Sequence, residues 1–304
     1  MKPVLTVGSV AFDSIEAPAG QVSRIVGGAA TYFSLAASFF TDVRLVAVVG
    51  EDFSSGQLEF FQNRRVDLTG LQRVPGESFR WKGKYNSDLS ARETIYTKLN
   101  VFEEFSPQIP SPFRDTPYVF LANIHPALQL QVLEQVVDPQ FVALDTMNYW
   151  IQGNLEELKQ VLAKVDAIII NDEEARDLTG QSSLVKAANL IRDLGPKRVI
   201  IKRGEHGVLM SHDGDFFAVP GFPLDVVSDP TGAGDTFAGG FVGYLAASDQ
   251  VTEKTFSEAV IAGSVMASFA VEDFGIDRLL QLTDASIRDR FKAFYKLTHF
   301  DPPV

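Results

Sequence analysis

The sequence predicts an α/β protein: a doubly wound, mostly parallel sheet in a three-layer α/β/α sandwich that carries a small β-sheet lid. Three observations predict it. Apolar runs of strand length alternate with helix-patterned stretches along the 304 residues, which is the βαβα rhythm of a parallel sheet. Several of those runs are apolar throughout, as strands covered on both faces require. Two segments, 10–26 and 76–105, break the rhythm and contain no good helical pattern.

The strand-like runs fall at 4–8, 43–50, 118–123, 141–145, 166–171 and 198–202. Helical patterns lie between and after them, at 28–41, 54–65, 127–137, 155–164, 182–194, 232–247, 255–272 and 284–298. The second off-rhythm segment reads as a hairpin. Phe79, Trp81 and Tyr85 fall at odd positions, the polar turn NSDLSAR follows, and Ile95, Thr97 and Leu99 resume the alternation. Both segments follow strand-terminal positions, so they are expected to cover the strand ends where doubly wound sheets bind ligands. The expected organisation is one domain over 1–304 with this lid inserted in it, and the tail FDPPV is expected to fray.

Composition excludes several functions. Hydrophobic residues make up 45% and charged residues 22%, an ordinary globular balance. With zero cysteines there is no disulfide frame, no thiolate nucleophile and no Cys-based zinc site. No apolar run approaches the roughly 20 residues of a membrane helix. The start MKPVLTVGSVAFDS reads as a first strand and not as a signal peptide, so a cytoplasmic protein without a membrane partner is expected. The net charge of −12, from 39 acids and 27 bases, repels polyanions. Arg64-Arg65 and Lys197-Arg198 are too short to form a basic patch, so no nucleic-acid partner is expected.

The chemistry concentrates at 229–240, DPTGAGDTFAGG. This is not a phosphate loop of the GxxxxGK[ST] kind, and Phe237 stands where GxGxxG needs its third glycine. A helix starting near 232 leaves its first N–H groups unpaired, an anion site that Gly232, Ala233 and Gly234 keep free of bulk. Asp235 on that first turn would repel a resting phosphate, but it suits an alcohol that loses its proton while attacking a phosphoryl group. A structural reading competes at this point, with Asp229 as N-cap, Pro230 at N1 and Asp235 as a first-turn acid favoured by the dipole. Glycines inside such a helix start would each cost about 1 kcal/mol relative to Ala, which weighs against that reading.

DPTGAGDTFAGGF closely resembles the C-terminal motif of the ribokinase-like (PfkB) carbohydrate kinases, D-T-x-G-A-G-D-x-F, with Pro230 in place of the usual Thr. Other matching segments follow in the family's order over nearly the whole chain. The resemblance implies an ATP-dependent kinase, with Asp235 as catalytic base and 232–234 as the anion hole. It implies that Asp229 and Thr231 help hold a monovalent cation such as K+. Gly27-Gly28 resembles the di-glycine that packs against the sugar; from the residues alone it is a tight turn. Asp13 sits where the family has a carboxylate for substrate hydroxyls. Asn171 and Glu174, in IIINDEEA, resemble the N-x-x-E motif that organises Mg2+ through water; read locally, they are also an N-cap and its N3 partner. Lys202 and Gly204, in IIKRGEHGV, and Gly275, in AVEDFG, match positions near the nucleotide.

The departures fall on the acceptor side. Tyr32 stands where the family commonly has Asn, and a phenol does not offer an amide's paired donor and acceptor. A ribose or fructose-phosphate specificity therefore does not follow. The expected acceptor is a sugar or polyol, with a nucleoside or inositol kinase, or a non-catalytic sensor of nucleotide or sugar, as alternatives. Trp81 and Tyr85 either stack on a substrate ring or fill the lid. Asn123 and His125 close a strand near the expected acceptor pocket, where His125 reads as a satisfied polar residue sooner than a ligand. A homodimer through the lid is expected from the family and from an aromatic sheet left exposed.

Overall fold

The computed structural model describes residues 1–299; the tail expected to fray, 300–304, lies outside them. The described residues form thirteen strands. In order they are β1 (Val4–Val7), β2 (Ala11–Ala17), β3 (Gly20–Gly27), β4 (Val43–Gly50), β5 (Val66–Val74), β6 (Phe79–Tyr85) and β7 (Arg92–Lys98). Then follow β8 (Tyr118–Leu121), β9 (Phe141–Leu144), β10 (Ala167–Asn171), β11 (Arg198–Lys202), β12 (Val208–His212) and β13 (Asp215–Val219).

Nine of them make one sheet in the order β13-β12-β11-β10-β9-β8-β1-β4-β5, parallel from β11 to β5. The continuous apolar runs are explained by two cores, one on each face. In β10 Ile168 and Ile170 enter one core and Ile169 the other, and all three are fully buried. Successive side chains of a strand point to opposite faces, so a strand covered on both sides must be apolar at every position. Helices cover both faces, giving the expected α/β/α sandwich. No helix among the described residues is long and apolar enough to cross a membrane.

Three strands have no counterpart in the sequence reading. The pattern at 54–65 folds only into a 3-10 turn, Gly56–Leu58, and a one-turn helix, Glu59–Gln62, before β5 begins at Val66. β5 is an edge strand with polar and exposed positions, so it lacks the apolar run that marks the inner strands. β12 and β13 form an antiparallel hairpin at the other edge. Asp213 (φ 47) and Gly214 (φ 91) make its turn, the Asp-Gly pairing that two-residue hairpins favour.

β2, β3, β6 and β7 form a separate four-stranded sheet in the order β3-β2-β6-β7, and both off-rhythm segments lie in it. β2 leaves the end of β1, and β6 follows the end of β5. Asp52 ties this sheet to the main one. Its Oδ1 accepts from the Ser78 amide and hydroxyl, each at 2.7 Å, and its Oδ2 accepts from Arg80 at 3.1 Å.

Candidate active site

The helix Ala233–Ser248 is capped by Gly232, which has φ 75 in the left-handed region. The cap is therefore Gly232 and not Asp229, which corrects the capping part of the structural reading, while Asp235 does lie on the first turn. Asp229 instead fixes the loop from beneath. It is fully buried, with Oδ1 accepting from the Thr231 amide at 2.9 Å and Oδ2 from the Gly275 amide at 3.2 Å. That second bond pins the late Gly275 loop to the helix tip. Both carboxylate oxygens of Asp229 are thus engaged by backbone N–H groups.

The glycines of the tip have specific neighbours. A Cβ on Gly232 would lie 2.5 Å from the ring of Tyr32, and one on Gly234 would lie 2.8 Å from Lys202 Nζ. Gly232 therefore makes room for an aromatic ring, and Gly234 for an ammonium. The Ala233 amide is turned to the Pro230 carbonyl at 3.2 Å, which leaves the Gly232 and Gly234 amides as donors at the tip.

Asp235 is half-buried on the first turn beside them. Burial, and then the charge of Asp145, push its carboxyl up to about 7, against the opposing pull of Lys202 and Arg92. Asp13 is pushed up to about 7 chiefly by burial, although the Gly28 amide donates to it. Its Oδ2 would be 1.9 Å from a Cβ on Gly27, so only glycine fits opposite it. Gly28, at φ 96, turns the chain into the helix Ala29–Ala37. Ser9 satisfies that helix start: its Oγ accepts from the Ala29 amide and its carbonyl from the Ala30 amide, both at 3.0 Å. The Tyr32 ring is 1% exposed, and its hydroxyl has no partner among the described residues. Burial and the charges of Asp13, Asp229 and Asp235 raise this phenol well above its ordinary range.

At the neighbouring strand ends, Asn171 and Glu174 form a reciprocal capping box, with bonds of 2.8 and 2.7 Å. Burial and then the Asp145 charge push Glu174 up to about 7. Lys202 ends β11, and Gly204 follows it at φ 55. Burial tends to discharge Lys202, but the carboxylates of Asp145, Glu174 and Asp235 outweigh it and hold the ammonium above its usual range.

The second sheet reaches the same place. The Tyr85 hydroxyl lies 3.0 Å from Thr231 Oγ1, a buried contact between β6 and the DPTGAGD loop. Arg92, at the start of β7, sits over the Trp81 ring at 5.1 Å, and its charge opposes the burial that raises the Tyr85 phenol. Its charge is felt by Asp13, Glu174 and Asp235. His125 is a helix cap whose Nδ1 accepts from the Ala127 amide at 3.0 Å, and Asn123 Oδ1 accepts from Trp150 Nε1 at 2.9 Å. Asp145 and Arg92 were not singled out in the sequence. One is a lone acid after a short strand and the other sits at the end of a polar turn, so neither has a local pattern.

Three carboxyls whose folded values lie near 7, against roughly 4 in an open chain, define a pH dependence. Below about pH 4 both states hold these protons. Between about 4 and 7 the folded state keeps protons that the unfolded chain releases, so their contribution to stability declines as pH rises and levels off above about 7. The melting temperature of the ligand-free protein should fall less over pH 5 to 7.5 in Asp235→Asn than in the wild type. Equal slopes in the two proteins would contradict the burial assigned to Asp235.

Residues 1–281 match the model of the pfkB family of carbohydrate kinases, and the chain belongs to that family. It is accordingly a phosphotransferase acting on a hydroxyl of a small molecule. The chain is 29% identical over 249 residues to a cytidine kinase of Thermococcus kodakarensis, covering 80% of this chain and 88% of that protein. It is 25% identical to a nucleoside kinase of Methanothermobacter thermautotrophicus, covering 100% and 99%. The structure of a Burkholderia thailandensis nucleoside kinase in complex with inosine superposes with a TM-score of 0.79 at 21% identity, over 96% of this chain and 97% of that one.

Proposed function

We propose that this enzyme transfers the γ-phosphoryl group of ATP to a hydroxyl of a nucleoside. The observation that carries the reaction type is the grouping of Asp235, Lys202 Nζ and the bare amides of Gly232 and Gly234 at one helix tip. Asp235 takes the proton of the acceptor hydroxyl as its oxygen attacks phosphorus. A base near 7 is matched to that task, because a large share of it is ionised near neutral pH and it still holds a proton well. Lys202 and the tip amides offset the charge on the phosphoryl oxygens. Asp13, opposite Gly27-Gly28, and the unpartnered Tyr32 hydroxyl face the acceptor. The second sheet, latched by Tyr85 on Thr231, serves as a lid that excludes water, the competing nucleophile.

Magnesium fits this corner as a water-carrying ion. No group of three or more His, Cys, Asp or Glu among the described residues forms a cage, and a hard cation of this size prefers one or two carboxylates, phosphates and water. Glu174, whose Oε2 is engaged by the Asn171 amide, would hold it through its other oxygen and water. Such an ion neutralises the charge that builds up on the triphosphate. A K+ ion at the Asp229–Thr231 loop would find each Asp229 oxygen already accepting one backbone N–H, with a further lone pair left on each.

The sequence reading favoured a free sugar or polyol as acceptor. Kinases of cytidine, nucleosides and aminoimidazole riboside among the relatives support a nucleoside instead. Tyr32 agrees with that choice, since a phenol ring replaces the amide that would grip a small sugar. The test offers cytidine, inosine, adenosine, ribose, fructose and myo-inositol singly with ATP-Mg2+, and measures ADP and the phosphorylated product. At least one nucleoside should exceed every free sugar and polyol in kcat/KM by tenfold or more, roughly the discrimination that an unfilled pocket gives. A sugar or inositol turned over better than all nucleosides overturns the acceptor assignment.

A further inference from the structure

Asp145 is a carboxylate at the C-terminal end of β9, 6% exposed, to which the reaction above gives no direct contact with either substrate. Its backbone is held on both sides. The amide donates to the Leu121 carbonyl at 2.9 Å, and the carbonyl accepts from Gln129 Nε2 at 3.0 Å. Its Oδ1 accepts from the Thr146 amide at 3.0 Å and lies 3.7 Å from Lys202 Nζ. That ammonium is in turn the group beside Gly234. A continuous line therefore runs from a fixed acid through a lysine to the tip of the helix Ala233–Ser248.

A buried ion pair is weak evidence for stability, because apolar side chains of the same volume usually serve as well. What distinguishes this pair is its position. A lysine left free would sample many rotamers, and ordering it at each turnover would cost activation free energy. At 3.7 Å the contact is electrostatic and longer than a hydrogen bond, so it restrains the ammonium without saturating its donors.

We propose that Asp145 is a positioning residue that holds the Lys202 ammonium at the helix tip, from which Lys202 turns to the transferred phosphoryl group. This rests on the kinase reading above. No bond is made or broken at Asp145; its charge shares the lysine with the incoming phosphate.

The test is a double-mutant cycle on the full chain, measured as kcat and KM for ATP with whichever acceptor the wild type uses best. Wild-type turnover tests the kinase reading, and the variants test only Asp145. Asp145→Asn keeps the shape and should lower kcat by about 10-fold; Lys202→Met should lower it by about 100-fold, the scale of one lost charge-stabilising donor. The double variant should be no worse than Lys202→Met, because Asp145 acts through Lys202. Losses that multiply to about 1,000-fold would overturn the proposal. So would an Asp145→Asn enzyme with wild-type kcat and only a lowered melting temperature, since that is a structural role. Should Lys202→Met not fold, Asp145→Asn alone decides through its Mg2+ dependence. A tenfold lower kcat at unchanged half-saturation by Mg2+ and an unshifted pH profile supports a role through Lys202, whereas a tenfold higher Mg2+ requirement assigns Asp145 to the metal, a shifted profile assigns it to Asp235, and either overturns it.

Discussion

Asp235→Asn should lower kcat by at least about 100-fold, the scale of general-base catalysis, while ATP binding changes little. The amide has the shape of the carboxylate, so the helix tip and its Gly232 and Gly234 donors stay where they are. What is lost is the proposed proton acceptor. The substitution also removes one negative charge from a cleft that holds Asp13, Asp145, Glu174 and Asp229, so the nucleotide should bind as well as before or better. In the wild type, kcat/KM should climb with pH through a midpoint near 7, where half of the base is ionised, and level off above about 8. Steady-state ADP release and a thermal shift with ATP-Mg2+ separate the two effects. A variant within tenfold of wild-type kcat would remove Asp235 from the chemistry.

The parts of this site that were legible are those written locally. DPTGAGD carries its turn, helix start and acid within seven consecutive residues, and Asn171 with Glu174 spells a capping box at the spacing the box requires. The inner strands were legible because burial on both faces leaves an apolar run. What stayed hidden depends on partners far away in sequence. Tyr85 meets Thr231 across 146 positions, and nothing in FRWKGKY specifies that phenol over any other aromatic of the hairpin. Asp145 gains its meaning only when β10 and β11 bring Lys202 alongside it. The edge strands were missed for a different reason. β5 has no apolar run and β13 is largely exposed, so their pairing is set by the neighbouring strand more than by their own composition. The HDGD turn between β12 and β13 was the one local sign left unread.

The two glycines of the tip should respond in opposite ways to the same added methyl group. At Gly232 an alanine meets two obstacles. The left-handed backbone, φ 75, costs a residue with a Cβ roughly 1–2 kcal/mol. The new atom would also press on the Tyr32 ring at 2.5 Å, and overpacking a closed site costs roughly 1–3 kcal/mol. A melting temperature lower by about 4–10 °C is expected, using roughly 2 °C per kcal/mol for a chain of this size. At Gly234 the backbone lies outside the positive-φ region, and the atom in the way is the end of a flexible lysine. There the gain in helix propensity, up to about 1 kcal/mol, should keep the melting temperature level or raise it. Yet the displaced ammonium leaves the proposed phosphoryl position, so kcat should fall by about 10-fold or more. Calorimetry and turnover on the two alanine variants decide the matter. If Gly234→Ala were as unstable as Gly232→Ala, or kept wild-type kcat, Lys202 would not be the group that the second glycine makes room for.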